Sequence, residues 1–427
     1  MVSKVSSQQE QEPRGPFGWA DRNYRIQTAA TVVSGLGNAG APIATAFAVL
    51  ESGGNTTNVG YVTAARLVPL VLLLLVGGTL ADRLPRHRVM VAANLFNALS
   101  QLTLATLVLT GGVRLWQLAL LAAAGGAGQA FYGPAAEGLL MQTVPKESAA
   151  TAFSVFRMAQ NGAQIGGAAL GGALVAAVGP GWVLGIDALA YAAAAGLRFL
   201  LRVPAAQAGP DRSSLVHELR EGWREFVGRR WLWAVVLQFS VVMTCITAVE
   251  AVYGPVIAQQ RLGGARSWGV AMAAFGVGLL STGLLMARWQ PRRLLLVGNY
   301  GVFLFALPGL ALALHAPLAP VCGAMFASGA GVTVFGVNWM IALQQEIPTE
   351  LMSRVSAYDA LGSLALTPVG TALAGPAADA LGLDGATWTC AAVTLLLAAA
   401  APVVPEVRRL SRTAAAPSPV RETVAAG

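Results

Sequence analysis

Residues 67–96 read LVPLVLLLLVGGTLADRLPRHRVMVAANLF, in which two apolar stretches flank a short segment rich in charged side chains. The flanking stretches extend over 57–81 and 88–110, and each exceeds the ~20 residues that a helix needs to cross the hydrocarbon of a bilayer. The same alternation of apolar stretch and short polar connection continues along the chain. The pattern predicts an all-α membrane protein.

The composition supports this assignment. Of the 427 residues, 55% are apolar and only 11% are charged, whereas a soluble domain carries about 25% charged residues. A soluble surface with so little charge would expose large apolar patches and aggregate. We therefore expect lipid to be the solvent for most of the chain.

Twelve stretches are long and apolar enough to span. They cover approximately 25–50, 57–81, 88–110, 115–142, 148–178, 182–203, 231–259, 268–288, 293–314, 317–344, 349–380 and 385–405. Two separations depend on short turn signals alone, at Gly179-Pro180-Gly181 and His315-Ala316-Pro317.

The basic residues predict the orientation. Nearly all of the 28 Lys and Arg residues, Arg198 among them, fall on the side of the N-terminus. Three fall on the other side, Arg114, Arg261 and Arg266, and two fall within spans, Arg66 and Arg157. Cytoplasmic loops carry the Lys/Arg excess, so both termini are expected in the cytoplasm. The net charge of +8 then reflects topology, and we expect no nucleic-acid partner.

The chain divides into five parts: a cytoplasmic tail (1–21), a six-helix bundle (22–203), a cytoplasmic linker (204–230), a second six-helix bundle (231–405) and a C-terminal cytoplasmic tail (406–427). In the linker, Leu215, Leu219, Trp223 and Phe226 recur at helical spacing. This predicts an amphipathic helix at the membrane interface; the alternative is a solvated linker helix.

The two halves share an internal repeat. Pro145-Lys-Glu recurs as Pro348-Thr-Glu, and at the same spacing Gly172 corresponds to Gly375. At a nearly equal spacing Gly78, Arg83 and Arg88 correspond to Gly283, Arg288 and Arg293. Because six spans is an even number, both halves have one orientation, as in transporters built from parallel repeats. Chance matches of small residues are the alternative for the glycine pairs.

Several kinds of site are not expected. The three cysteines and three histidines lie far apart, which argues against a disulfide framework and a metal site. Neither lysine, Lys4 or Lys146, belongs to a phosphate-binding loop. An embedded enzyme would need a dense catalytic constellation, and a sensor would need a soluble signalling domain. We therefore predict a protein that is not an enzyme and uses no cofactor.

The segment Gly78-Thr-Leu-Ala-Asp82-Arg83-Leu-Pro85-Arg86-His87-Arg88 resembles the Gly-x-x-x-Asp-Arg/Lys-x-Gly-Arg-Arg/Lys signature of the major facilitator superfamily. The resemblance implies twelve transmembrane helices in two pseudo-symmetric six-helix bundles. It also implies a cytoplasmic gate formed by Gly78, Asp82, Arg83, Arg86 and Arg88, in which Asp82 can sit against a helix N-terminus. Alternatively, the arginines are only topological anchors. Pro85 and His87 depart from the signature.

Other segments narrow the resemblance to the enterobactin-exporter and macrolide-efflux branch of drug:proton antiporters. They are Ser34-Gly-Leu-Gly37-Asn38, Tyr132-Gly-Pro134-Ala and Gln344-Gln-Glu-Ile-Pro348 with the glycines that follow. Two departures concern coupling: Asn38 stands where that branch often has Asp, and Gly167-Ala168 replaces the Gly-Pro typical of antiporters.

Charged residues within spans are the candidates for proton coupling, because an ionisable group at the bilayer centre costs at least ~2.5 kcal/mol. In the superfamily fold, spans two and eleven adjoin at the seam between halves. This implies that Arg66 and Asp359 pair in one conformational state and separate in the other; a static ion pair is the alternative. Glu250 is the second candidate for binding a proton or a cationic substrate. Glu137 is a further candidate, nearer to water, and Asp187 is expected to be structural.

Spans one, four, seven and ten line the central cavity in that fold. Polar and aromatic side chains on them are candidates for substrate contact, with helix packing as the alternative: Asn38, Tyr132, Tyr253, Asn338 and Trp339. A mostly apolar pocket with few polar groups suits an amphipathic organic molecule.

The function expected from these observations is proton-coupled efflux of a drug-like or natural-product molecule by alternating access. The protein would be a multi-pass monomer in a bacterial plasma membrane, with the bilayer, protons and the substrate as partners. The alternative is an importer or facilitator of a small metabolite.

Overall fold

A computed structural model describes residues 20–83, 85–145, 148–201, 215–289, 291–348 and 351–412. The first half is helical throughout its described part: α1 (Arg22–Glu51), α2 (Thr56–Arg83), α3 (Arg86–Leu109), α4 (Leu115–Thr143), α5 (Ala149–Val178) and α6 (Pro180–Phe199). Asp21 caps α1, since its side chain accepts a hydrogen bond from the Tyr24 amide at 2.7 Å. The predicted turn at Gly179-Pro180 separates α5 from α6, and Gly179 has a φ of +86°.

The second half begins with α7 (Leu215–Gly228) in the linker and is less regular. It continues with α8 (Arg230–Thr247), α9 (Gly254–Ile257), α10 (Ala265–Arg288), α11 (Leu294–Phe303), α12 (Leu307–Ala313), α13 (Leu318–Glu346), α14 (Met352–Leu364), α15 (Thr367–Ala400) and α16 (Pro405–Arg409). The described residues contain no β-strand. The all-helical prediction is confirmed for this part of the chain.

Three predicted spans of the second half are interrupted helices. Span seven consists of α8 and α9 joined by a π-helical turn at Ala248–Tyr253, and a second π-helical turn, Ala258–Leu262, follows α9. Span nine consists of α11 and α12 with a 3₁₀ turn, Leu304–Ala306, between them. Span eleven begins with α14 and continues into α15, where Gly382, with a φ of +74°, divides the helix. The sequence pattern predicted the apolar stretches but not these breaks.

Ten stretches of the described residues are long and apolar enough to cross a membrane. Large apolar side chains face outward along them, for example Leu72 at 70%, Leu189 at 69% and Phe199 at 79% exposure. In water such a surface would aggregate, whereas lipid solvates it. The fold is that of a multi-pass membrane protein.

The linker helix α7 packs against the second half. The ring centroid of Trp223 lies 5.4 Å from that of Tyr358 on α14, and Phe226, which is buried, lies 6.1 Å from it. The side chains of Leu215 and Leu219 and residues 204–214 lie outside the described part. The aromatic residues of the predicted amphipathic face thus contact protein.

The buried apolar residues differ between the two faces of the molecule. We call the face with the start of α1 and with α16 the terminal face, and the opposite one the far face. A single cluster at the far face joins both halves, running from Phe47 on α1 to Trp268 on α10 and Ala374 on α15. At the terminal face the halves have separate clusters. The halves are therefore in close contact mainly at the far face.

Glycines make that contact possible. A Cβ on Gly172 (α5) would lie 2.4 Å from the Gly269 Cα on α10, and one on Gly375 (α15) would lie 2.1 Å from the Thr57 Cα on α2. Both distances are far below contact, so only glycine allows these backbones to meet. Gly172 and Gly375 are the pair that the internal repeat relates, and they occupy equivalent places in the α5–α10 and α2–α15 seams.

Replacing Gly172 by Ala should loosen the α5–α10 seam. The added methyl group meets backbone rather than a movable side chain, so we expect the free energy of unfolding to fall by about 1–3 kcal/mol, as for other overpacked sites. The apparent unfolding temperature of the purified protein measures this.

Gly162→Ala on the same helix is the matched control, because a Cβ there has no neighbour within 4 Å. Because alanine has a higher helix propensity than glycine, this change should leave the free energy of unfolding unchanged or raise it by up to ~1 kcal/mol. Equal unfolding temperatures for the two variants would contradict the proposed role of Gly172.

Candidate functional site

A cavity of about 380 Å³ lies between the two halves; we call it the seam chamber. Helices α1, α2, α4 and α5 line it from the first half, and α8, the adjoining π-helical turn and α10 line it from the second. Much of the wall is apolar, including Leu67, Ile165, Ala168, Met272, Phe275 and Leu279. This cavity can accommodate a small apolar molecule.

A second cavity of about 270 Å³ lies within the first half and is lined by α1 to α6. We call it the polar chamber, because amide and hydroxyl side chains form much of its wall, including Ser34, Asn94, Asn97, Gln129, Gln160 and Gln164. The two chambers share Asn38, Leu70, Gln129 and Gln164. They therefore adjoin and could hold two parts of one ligand.

Arg66 on α2 lies where the chambers meet. Its guanidinium donates hydrogen bonds to Asn38 Oδ1 at 2.9 Å and to Gln129 Oε1 at 3.1 Å. Asn38, the residue that departs from the exporter pattern, therefore serves as a neutral acceptor for Arg66. Two amide oxygens thus accept hydrogen bonds from this cation, and the carboxylate of Asp187 lies close enough to interact with its charge.

Asp359 on α14 belongs to a different hydrogen-bond group. Its Oδ2 accepts from Trp339 Nε1 at 2.9 Å, and its Oδ1 accepts from Ser363 Oγ at 3.5 Å. The structure does not bring Asp359 and Arg66 together. The hypothesis that they pair in one state stays a prediction about a conformation other than this one.

Glu250 faces the space between the halves. It lies in the π-helical turn Ala248–Tyr253, and it lines a pocket of about 160 Å³ with Ala39 and Pro42 of α1. Its Oε1 is buried without a hydrogen-bond partner. Such π-helical turns are frequent at functional sites. Glu250 is thus an unpaired acid that the second half contributes to the wall of this pocket.

Arg198 on α6 is a functional candidate that sequence reasoning missed. We expected it among the basic residues of the inner surface, but its side chain is 0% exposed. It donates to Tyr132 Oη at 2.7 Å, to Thr31 Oγ1 at 3.1 Å and to Gln27 Oε1 at 3.3 Å. Its position inside a predicted span was the available signal. Neutral acceptors on α1 and α4 offset part of the cost of burying this cation, and its Nη1 has no hydrogen-bond partner.

Asp187, also on α6, is fully buried. Its Oδ2 accepts a hydrogen bond from Gln101 Nε2 on α3 at 2.8 Å. This bond joins α3 to α6, while the Oδ1 of Asp187 has no hydrogen-bond partner. The charge of Asp187 acts on Arg66 and on Tyr191, which lines the polar chamber. The structural role expected for Asp187 stays a prediction.

Three predicted cavity residues lie in helix packing and not on the walls of the two chambers. Tyr253 is buried and donates to the Ala374 carbonyl at 2.9 Å. Asn338 is buried and donates to the Val334 carbonyl one turn away at 2.8 Å. Trp339 stacks on Phe335 and lines only a crevice of about 10 Å³. Asn38 and Tyr132, in contrast, line the polar chamber.

The predicted gate is only partly described. Gly78, Asp82 and Arg83 lie at the end of α2, and their side chains are outside the described set, as is that of Glu137. Arg86 and Arg88 begin α3, where Arg88 is exposed. No group of three His, Cys, Asp or Glu residues that could hold a metal ion occurs in the described ranges.

A multi-pass helical protein with a cavity between its halves has the architecture of a membrane transporter. The profile of the Major Facilitator Superfamily matches residues 28–365. The chain belongs to this superfamily, as its charged segment at 78–88 predicted.

Two of the relatives are named as drug efflux proteins. The chain is 28% identical to the multidrug efflux pump Tap of Mycolicibacterium fortuitum, covering 89% of this chain and 95% of that protein. It is 23% identical to macrolide efflux protein A of Streptococcus pyogenes, covering 92% and 98%. These relatives confirm the predicted resemblance to the drug-efflux branch.

Solved structures share the fold at low identity. The nucleoside transporter NupG superposes with a TM-score of 0.69 at 11% identity, covering 90% of this chain and 99% of that one. An inward-facing bacterial homologue of the lysosomal transporter Spinster gives 0.66 at 16% identity, covering 91% and 98%.

Replacing Tyr132 by Phe should destabilise the protein through Arg198. The change removes a hydroxyl acceptor and leaves a second guanidinium N–H group buried without a partner, which costs about 1–3 kcal/mol. Thermal unfolding of the purified variant measures the loss.

Tyr61→Phe is the control, because Tyr61 is 46% exposed and a surface change of this kind stays within about 0.5 kcal/mol. If Tyr132→Phe were as stable as Tyr61→Phe, the described network around Arg198 would be wrong.

Proposed function

We propose that the protein exports a drug-like or natural-product molecule by alternating access, driven by the proton gradient. The observation that carries this proposal is the seam chamber, which both halves line and which the glycine contacts of the far face close on one side. Rocking of the halves about such a chamber would expose it to each side of the membrane in turn.

The proposed topology has twelve spans in two bundles, 22–203 and 231–405, joined by the linker 204–230. Two observations support this count. Gly382 divides α15 between two spans, and α8 with α9, like α11 with α12, form one span each. The basic residues favour a cytoplasmic terminal face, with the tails 1–21 and 406–427 inside a bacterial plasma membrane. The conformation described above would then be closed to the outside. One chain supplies both halves of the chamber, so a monomer suffices.

The proposed substrate is an amphipathic organic molecule. An apolar seam chamber beside a polar chamber provides the mixed lining that such molecules require. The names of the relatives, multidrug and macrolide efflux proteins, agree with this class. Import of a small metabolite is the alternative, and the direction of transport decides between them.

Glu250 is the acid that we propose to carry the proton. Proton uptake neutralises a carboxylate that the protein leaves unpaired beside α1 of the other half, so protonation can change how the halves fit together. Asp359 and Arg66 are the second candidates, as a pair formed in the opposite state, and Glu137 is a further one. Gly78, Asp82, Arg83, Arg86 and Arg88 are proposed as the gate that closes the cytoplasmic side in that state.

Inverted membrane vesicles test the proposed function. An exporter should accumulate macrolides and other amphipathic compounds in the lumen when the lumen is acidified, and the accumulation should vanish when an ionophore removes the gradient. Accumulation by right-side-out vesicles alone would indicate import. Export that does not respond to the ionophore would exclude proton coupling.

Glu250→Gln should lower gradient-driven accumulation at least tenfold, because glutamine has nearly the same shape but cannot release a proton. Substrate exchange without a gradient should persist, since the chamber is intact. Asp384→Asn is the control: this carboxylate bonds Arg261 and His315 on the exposed surface, and its loss should leave transport unchanged. Normal gradient-driven accumulation by Glu250→Gln would refute its role.

Asp359→Asn should lower proton-driven transport at least tenfold while the protein stays folded, because an asparagine Oδ1 can still accept the hydrogen bond from Trp339. Pairing with Arg66 is tested by a double-mutant cycle with Arg66→Gln. If the two residues act as a pair, the double variant transports as well as the poorer single variant. Independent losses that multiply would refute the pair, and unchanged transport by Asp359→Asn would refute the role of Asp359.

A further inference from the structure

The polar chamber contains a buried amide group that the protein itself does not satisfy. Asn94 on α3 borders the chamber, its side chain is 0% exposed, and neither its Nδ2 nor its Oδ1 has a hydrogen-bond partner. An unpartnered buried amide lowers stability. Because Asn94 borders a cavity of about 270 Å³, its amide is available to a polar ligand that enters the chamber.

The charges around this chamber are mainly positive. Arg157 is the one charged side chain among its described lining residues. Arg66 bonds two residues of the wall, Asn38 and Gln129. Arg198 lies directly behind the wall and has no carboxylate partner among the residues that the structure describes. Asp187, which accepts a hydrogen bond from Gln101, is a described acid whose charge acts on Arg66, and the three arginines outnumber it.

Arg198 also directs hydroxyl protons towards the chamber. Tyr132 and Thr31 both accept a hydrogen bond from it, and their oxygens lie 3.1 Å apart. Only one of these two hydroxyls can donate to the other, so the second retains a proton for another acceptor. Both residues line the polar chamber, so this proton can be donated to a ligand oxygen.

We propose that the polar chamber binds the anionic head of the substrate while the apolar body occupies the seam chamber. The substrate class is an organic anion, namely an apolar ring system that carries a carboxylate or sulfonate. Asn94 Nδ2, the Tyr132–Thr31 hydroxyls and the positive potential of the three arginines recognise the head, and the shared wall at Asn38 and Gln129 allows one molecule to reach both chambers. This inference rests on the proposed export function and narrows its substrate.

Three probes with one apolar body and different heads test the charge preference: pyrenebutyrate, its neutral amide and pyrenebutylamine. Binding is measured by fluorescence with the whole protein in lipid nanodiscs, with empty nanodiscs as the blank. We expect pyrenebutyrate to bind at least tenfold more tightly than either of the other probes. Equal binding of the three, tighter binding of the amine, or no binding would overturn the inference.

The variant Asn94→Leu tests whether the preference for pyrenebutyrate arises in the polar chamber. Leucine has a similar size and no polar atoms, so the variant should unfold at the same or a higher temperature, while the preference for the carboxylate falls at least threefold, to what the arginines and hydroxyls supply. Asn338→Leu is the matched control, because Asn338 is equally buried and has an unpartnered Oδ1 but lies outside the chamber; it should keep the preference. A preference retained by Asn94→Leu would overturn the assignment.

The vesicle experiment separates this inference from the proposed function. Export of neutral or cationic compounds with no preference for anions would leave efflux standing and refute the organic-anion class. Anion binding in nanodiscs without gradient-driven export in vesicles would refute the proposed function and leave the binding site standing.

Discussion

The absence of water inside the bilayer is the constraint on which the rest of this structure depends. Polar groups there must find partners within the protein or be retained for function. Tyr253 meets the first condition through the Ala374 carbonyl at 2.9 Å, and Asp187 meets it with one of its two oxygens, through Gln101 at 2.8 Å. Asn94 is the one described side chain with two unpartnered amide atoms, and Glu250 has an unpartnered carboxylate oxygen. Both border cavities, so a ligand that enters can reach them, whereas the unpartnered Oδ1 of Asn338 lies in helix packing.

The same constraint shapes the contact between the halves. Where Gly172 meets Gly269 and Gly375 meets Thr57, backbone lies against backbone, and only dispersion forces have to be overcome when the surfaces part. Across the α2–α15 seam the polar contact is the bond from Thr57 Oγ1 to Asp379 at 2.8 Å, at an exposed site where water can replace it. Among the residues that the structure describes, no buried polar bond crosses this seam, so it can open at little cost, which alternating access requires. At the terminal face the apolar clusters of the two halves are separate, so the halves can approach each other on that side.

Apolar length, the turn at Gly179-Pro180 and the charged segment at 78–88 were sufficient to predict a helical membrane protein of this superfamily. The repeat also related Gly172 and Gly375, which the structure places in equivalent seams. Hydropathy could not predict the π-helical turn that holds Glu250, because a π-helical turn changes the hydrogen-bond register and not the composition. Arg198 was assigned to the inner surface because its position in the sequence does not reveal the neutral acceptors that other helices supply. Asn38 and Tyr132 were found as cavity residues because helix assignment alone locates them, whereas Tyr253, Asn338 and Trp339 lie on the right helices but face their neighbours.

The two halves carry unlike chemistry, and this bears on how coupling could work. The first half presents Arg66, Arg157 and the amides of the polar chamber, whereas the second half presents Glu250 beside Ala39 and Pro42 of α1. In the proposed scheme the proton and the substrate head therefore bind to opposite walls and do not compete for one carboxylate. Each can affect the other only by changing how well the walls fit together. Coupling of this kind is a property of the seam, because a proton on Glu250 removes a charge that the positive first half attracts. Charge attraction across the chamber thus favours one arrangement of the halves, and proton uptake favours the other.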